Sequence, residues 1–326
     1  MIARRAFIAG IAAIVMARRA DAQSTARVYR LGVLGVGRQL TNAQGSIASK
    51  LRELGWEEGR NLSIDYRFAD SPDAMPQLSA SLVASKPDVL VALGPFPAHA
   101  LKDATQSIPI VFGAVADPVG RGLVASLARP GGNVTGASHF VGPNFGGKPA
   151  ELLKELVPRA QRIAWLINPA NPIYRTGMVM ERNRDELSRL KLSLERIEAR
   201  SVAELPAAFE AAVRARADGL VVNPDSVFNF ARDTILKLAE KHRLPAVYPS
   251  RDYVQAGGLI SYGANFVELY RRVAVHIDKI LRGAKPADLP IEQPTTFEMV
   301  VNLKTAKALG LTIPPSVLLR ADHVIQ

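Results

Sequence analysis

Two carboxylates stand where an apolar run gives way to a turn: Asp117, in Ala114-Val115-Ala116-Asp117-Pro118, and Asp225, in Asn223-Pro224-Asp225-Ser226. A carboxylate at a cleft pairs with an ammonium group, more strongly as water is excluded. Asp beside proline serves equally as a helix N-cap or Asx-turn, and Ser226 could cap the same helix as Asp225. Turns of similar make-up end the other apolar runs: Gly35 to Gly37, Gly94-Pro95-Phe96, Asn168 to Asn171, and Tyr248 to Ser250. Their glycines let the backbone approach a ligand, and the helices that follow offer N–H groups to an anion. The same residues also cap helices and close turns without any ligand. Phe96, Tyr174, Phe228, Tyr248 and Tyr262 fall in or near these loops, where a flat side chain either sandwiches an organic ligand or packs. Gly35, Gly37, Gly94, Pro95, Ala114, Val115, Asn168 and Asn171 complete the candidate binding set, while Trp165, inside an apolar strand, is assigned to the core.

No catalytic constellation accompanies them. His99, His139, His242, His276 and His323 lack metal-ligand spacing, and HExxH, P-loop and GxSxG motifs are missing. Gly32-Val-Leu-Gly-Val-Gly37 lacks the spacing of a dinucleotide loop. Ser138 and His139 are neighbours in a strand and so face opposite sides. There is no cysteine, which removes disulfides, thiolate metal sites and a lipid-anchoring thiol. A binding protein without catalytic residues, metal or cofactor is expected.

The elements that must position these loops alternate. Strands are expected at Val28–Leu34, Asn61–Phe68, Val89–Leu93 and Ile108–Phe112, with helices between them marked by Ile47, Leu51, Leu54 and by Leu78, Leu82, Val83. Leu123, Val124 and Leu127 have the spacing of a short helix after Asp117, closed by Pro130-Gly131-Gly132. Val134–Ser138 reads as a strand crossing out of this first lobe. The pattern then restarts: helix Ala150–Leu156, strand Arg162–Ile167, a long helix at about 176–191, strand Leu192–Ala199, helix Ala203–Arg216, strand Gly219–Val222, helix Ala231–His242 and strand Pro245–Tyr248. Gly258–Gly263 reads as a return crossover, Phe266–Leu281 as a helix rejoining the first lobe, and Glu298–Leu303 as a late strand. The fold class expected is α/β, with two doubly wound parallel-sheet lobes joined by a three-strand hinge. Residues 28–137 with 264–290 form one lobe, and 138–263 with 291–326 the other.

At 326 residues and 48% hydrophobic, the chain can bury two cores. Residues 1–22 read as a cleavable export leader: Arg4-Arg5, an apolar stretch Ala6–Ala17, and Ala20-Asp21-Ala22. The arginine pair resembles a twin-arginine signal, and the apolar core is too short for a membrane anchor. Cleavage lowers the formal charge of +11 by three. The remaining Lys and Arg are scattered, a solvated basic surface and not a nucleic-acid footprint. A freely soluble periplasmic protein is expected.

Several long stretches resemble the ABC transporter substrate-binding family of periplasmic proteins that includes tryptophan- and tyrosine-binding members. They are Arg30-Leu-Gly-Val-Leu, Leu51-Arg-Glu-Leu-Gly-Trp, Ile108-Pro-Ile-Val-Phe, the run from Asp117 to Gly136, Asn168-Pro-Ala-Asn-Pro, Ala256-Gly-Gly-Leu-Ile-Ser-Tyr-Gly, and Asn302 to Pro315. The resemblance spans about Tyr29 to Ile325 and implies a type I periplasmic-binding fold. It implies an amino acid ligand, often aromatic, held between the lobes of a monomer and handed to an ABC permease. Relatives often carry Ser or Thr in the turn after the first strand; here it is Gly35-Val36-Gly37-Arg38, and Arg38 faces either an acidic group or solvent. Other classes make different demands. A regulator's effector domain would need a DNA-binding segment, and an enzyme would need a catalytic constellation. A periplasmic sensor feeding a receptor would share every feature named.

Overall fold

The computed structural model describes residues 27–139, 147–171, 187–294 and 296–326. The expected leader, Tyr174 and most of the helix expected at 176–191 lie outside them. The chain builds two open sheets. The first contains β1 (Tyr29–Val36), β2 (Leu62–Ala69), β3 (Val89–Leu93), β4 (Ile110–Val115) and β5 (Val134–Ser138), in the all-parallel order β2-β1-β3-β4-β5. Between them come α1 (Asn42–Glu53), α2 (Met75–Ala84) and α3 (Pro95–Ala104). The inner strands are buried along their length, as a parallel sheet covered on both faces requires. A capping box starts α1: Thr41 Oγ1 accepts from Gln44 N–H, and the Gln44 side chain accepts from Thr41 N–H at 2.9 Å.

The second sheet follows α4 (Gly147–Leu156). Its parallel part comprises β6 (Arg162–Ile167), β7 (Ser193–Glu198), β8 (Gly219–Val222), β9 (Ala246–Tyr248) and β10 (Ile260–Ala264). The helices α5 (Leu205–Arg214), α6 (Ser226–Phe230), α7 (Arg232–Lys241) and α8 (Arg251–Gln255) connect them. Next in the chain is α9 (Phe266–Leu281); β11 (Phe297–Asn302), α10 (Leu303–Leu309), α11 (Pro315–Leu318) and β12 (His323–Ile325) end it. The full order is β12-β11-β10-β9-β8-β6-β7, with β11 antiparallel to β10 and β12 parallel to β11.

The expected α/β class with two doubly wound sheets is therefore what the chain forms. The helix α9 returns to the first sheet. Its Leu269, Tyr270, Val273, Ala274 and Ile277 join Leu31, Val33, Val91 and Val111 in one core, and Asn265 caps it by accepting from Glu268 N–H at 2.9 Å. The chain crosses between the sheets after β5, after β10 and after α9. The first and third crossings run side by side: Ser138 N–H donates to Glu292 O at 2.8 Å, and Glu292 N–H to Gly136 O at 3.0 Å.

Three expectations need correction. Leu123, Val124 and Leu127 form no helix; turns run through 118–128, because Asp117 and Gly122 sit at positive φ and Pro118 and Pro130 cannot continue a helical ladder. Val134–Ser138 is the edge strand of the first sheet before it is a crossing. Residues 260–264 are an inner strand of the second sheet, paired on both sides.

Candidate functional site

Strands of a parallel sheet end in loops at their carboxyl edge, and here the two sets of loops face each other across a cavity of about 580 Å³. From the first sheet come Val36 and Arg38 after β1, Thr41 at the start of α1, and Gly94 and Pro95 after β3. Ala114 lies near the end of β4, and Arg121 and His139 follow β4 and β5. The second sheet supplies Trp165, Asn171, Asn223, Asp225 and Ser226, with Phe230 and Arg232 from the two helices behind them. Phe266 and Tyr270, four apart on α9, close the wall beside the crossings.

The best-built feature is Asp225. It is 4% exposed, and it caps α6 by accepting from Val227 N–H at 2.8 Å. Asn168 Nδ2 donates to its Oδ1 at 3.2 Å and Asn171 Nδ2 to its Oδ2 at 2.7 Å. Burial pushes its pKa up, and the amide and backbone donors oppose that. Among the described residues no salt bridge reaches Asp225, and the donors that hold it there are neutral dipoles. Arg121, from the turns after β4, reaches across: its Nη2 donates to Asn171 Oδ1 at 2.8 Å.

His139 shapes the opposite wall. Burial, followed by the charge of Arg121, lowers its pKa to about 4, against a hydrogen bond to the Ala114 backbone. Its Nδ1 has no partner among the described residues, and its ring lies 5.9 Å from that of Phe266. Ala114 has φ +58°, where the β4–β5 register shifts. A left-handed non-glycine residue at such a bulge costs about 1–2 kcal/mol and is found where a wall is being shaped. On the cavity floor Trp165 is 1% exposed, and its Nε1 also lacks a partner among the described residues.

The cavity brings together six of the expected residues: Gly94, Pro95, Ala114, Asn171, Asp225 and Ser226. Asn168 stands behind it, orienting Asp225. Asp117 is not brought to it. That side chain is exposed, and its Oδ1 accepts from Gly120 N–H at 2.9 Å, closing its own turn. Gly35 is under the ring of Phe68, where an added Cβ would be 2.9 Å from the ring. Val115 is in the core, and Phe96 packs against the core partly buried. Tyr248 is buried against Tyr253, ring centroids 5.0 Å apart; Tyr262 stacks on Phe297 at 5.8 Å. Phe228, too, is fully buried. Arg38 is exposed and donates to Asp70 Oδ1 at 3.1 Å.

The glycines at the strand ends serve a purpose other than the expected one. A Cβ on Gly94 would lie 2.4 Å from Ser226 Oγ, and one on Gly37 would lie 2.9 Å from the Phe230 ring. Both have φ near +110°. They let the two halves of the molecule approach each other. Sequence reasoning missed Arg121, His139, Phe230, Phe266 and Tyr270; Trp165 is in the core of the second sheet as expected, and it also borders the cavity. The aromatic pair at i and i+4 opening α9 was the one signal available; Phe230 ends the short helix α6, and Arg121 and His139 follow strands, with no pattern that separates cavity from core.

Residues 37–325 match the model of the family described as ABC transporter substrate binding protein. The tyrosine-binding protein of Clostridioides difficile (strain R20291) is 28% identical over 273 residues, which are 83% of this chain and 77% of that one. An ABC domain from Streptococcus pneumoniae, solved in complex with L-Trp, is 28% identical with a TM-score of 0.81, covering 91% of this chain and all of that one. The ligand-free, open structure of a substrate-binding protein with adhesive properties from Clostridium difficile is 25% identical; it covers 92% and 100%, with a TM-score of 0.63.

Proposed function

Because this chain belongs to the ABC transporter substrate-binding protein family, we propose that it captures an aromatic amino acid between its two halves and delivers it to an ABC permease. Substrate-binding proteins of this family act outside the cytoplasm, and residues 1–22 are the proposed export leader. No helix among the described residues is long and apolar enough to cross a membrane. The observation that carries the reading is Asp225, a buried carboxylate bordering the cavity and held by neutral donors, with no cation paired to it among the described residues. An α-ammonium group supplies the missing charge, and exclusion of water strengthens that contact.

The ligand carboxylate goes to the amino terminus of α1 at Asn42, where first-turn N–H groups and the helix dipole favour an anion, and to that of α3 beside Gly94, where Pro95 and Pro97 leave Phe96 N–H as the donor. Phe230, Phe266 and Trp165 offer flat surface to the side chain. The relatives that bind tyrosine and L-Trp support an aromatic ligand. Closure turns on the three crossings, near residues 138, 264 and 291, between lobes 28–137 with 264–290 and 138–263 with 291–326. The greater likeness to the L-Trp complex than to the open structure supports reading this arrangement as the closed one. The protein acts as a monomer, with no cofactor.

Thermal denaturation with each of the twenty amino acids tests the ligand class. A bound ligand at a hundred times its Kd stabilises by about 2.7 kcal/mol, a shift of several degrees. Aromatic amino acids are expected to raise the Tm and Asp225→Asn to abolish the rise. No shift with any amino acid would overturn the reading.

A further inference from the structure

The ammonium site proposed around Asp225 includes a residue from the other half of the molecule. Asn171 Nδ2 holds Asp225 Oδ2 at 2.7 Å, and the same amide accepts from Arg121 Nη2 through its Oδ1 at 2.8 Å. Asp225 and Asn171 follow strands of the second sheet; Arg121 follows β4 of the first. A carboxamide has one donating and one accepting end, and a flip exchanges them. Guanidinium only donates, so Arg121 fixes the carbonyl end toward itself and leaves the NH₂ end for the carboxylate. Turned the other way, Asn171 would set its NH₂ against the guanidinium and its carbonyl oxygen against Asp225, two repulsive contacts where there are now two bonds.

We propose that Arg121 is a positioning residue for ligand capture: reaching across the cleft, it orients Asn171 so that Asp225 is held for the ligand's ammonium group only when the halves have met. This rests on the proposed capture of an amino acid between the lobes. On this proposal the ligand's ammonium group first meets Asp225 on the second-sheet side before the halves close, so Arg121 leaves the rate of first contact untouched. Its contribution begins once the cleft has closed, and it therefore governs escape.

Stopped-flow binding of the amino acid that best stabilises the wild type reads this split. Arg121→Gln is expected to raise the dissociation rate about tenfold with the association rate changed less than twofold, as for a bond made after encounter. Arg121→Lys, which keeps a charged donor without the planar fork, falls between. In an Asn171→Ala background the Arg121→Gln change should alter the dissociation rate less than twofold, because the two residues act as one unit. Additive effects, an unchanged dissociation rate, or a loss confined to association would overturn the proposal.

A second readout needs no ligand. The chain has no cysteine, so Asp103→Cys with Lys241→Cys places one spin label on each half. Arg121→Gln is expected to deplete the short-distance population relative to the parent, and identical distance distributions would overturn the role of Arg121. Absence of any amino acid binding by the wild type would refute the ligand class, while this comparison still decides the role of Arg121.

Discussion

His139 gives the cavity a pH signature that can be isolated. Its folded pKa of about 4 lies below the ordinary 6.5, because burial and then the nearby Arg121 disfavour the charged ring. Between about pH 6.5 and 4 the unfolded chain takes up a proton that the folded chain refuses. The contribution to stability is thus complete above about pH 6.5, declines as the pH falls, and levels off below about 4, amounting to as much as ~3 kcal/mol. Thermal melts from pH 7 to 4 should show the wild type losing more Tm than His139→Gln; parallel curves would contradict the assignment. Asp225, Asn171, Gly94 and Ser226 were legible in the sequence, since position at a strand end fixes both their place in the sheet and their chemistry. Asp117 was misread because a carboxylate with a backbone N–H three residues away satisfies itself locally, a choice that composition does not reveal. Tyr248 was misread for a related reason: a strand-end aromatic turns either to the cleft or to the core, and here Tyr253 supplies the stack.

The loops that follow β1 and β3 matter because of what they leave out. At Gly94 a methyl group would occupy the space of Ser226 Oγ, 2.4 Å away, at a φ of +109° that L-residues avoid. Gly94→Ala is expected to weaken ligand affinity roughly tenfold, as 1–3 kcal/mol of strain implies. Adding Ser226→Ala removes the clashing oxygen and should restore part of the loss, measured by titration calorimetry. Equal weakening in the single and double variants would show that the φ, and not the meeting of the halves, sets the effect. The β/α alternation was legible at this scale, because both periodicities are written in the apolar positions of β1 to β4 and of α1 and α2. The failed short helix at 123–127 marks the limit of that signal. Three apolar residues in helical register do not outweigh Pro118, Gly122 and Pro130, and the segment folds instead around Pro118 O, which accepts from Leu123 and Val124 N–H.

In the whole molecule, the return of α9 to the first sheet decides what can stand alone. Residues 27–139 carry five strands but lack the helix whose Leu269, Val273, Ala274 and Ile277 cover one face. Expressed by themselves they should expose that face and give the circular dichroism and dispersion of a poorly packed chain. Linking residues 264–290 to them should restore cooperative unfolding; a stable, cooperative 27–139 fragment would contradict this account. The two-fold pattern of the sequence revealed two sheets, yet it did not reveal that β11 reverses direction against β10, since an apolar run buried on both faces looks alike in either sense.

The same interleaving sets a timetable for synthesis. β1 to β5 leave the ribosome by residue 138, but their last covering helix ends at residue 281. At translation speeds of ~5–20 residues per second, that is a wait on the order of ten seconds. Throughout it, the half made first presents an uncovered row of valines and leucines while the strands of the other half are still being made. The nascent chain is thus expected to require a holding chaperone during this interval, and to become independent of one only when α9 arrives.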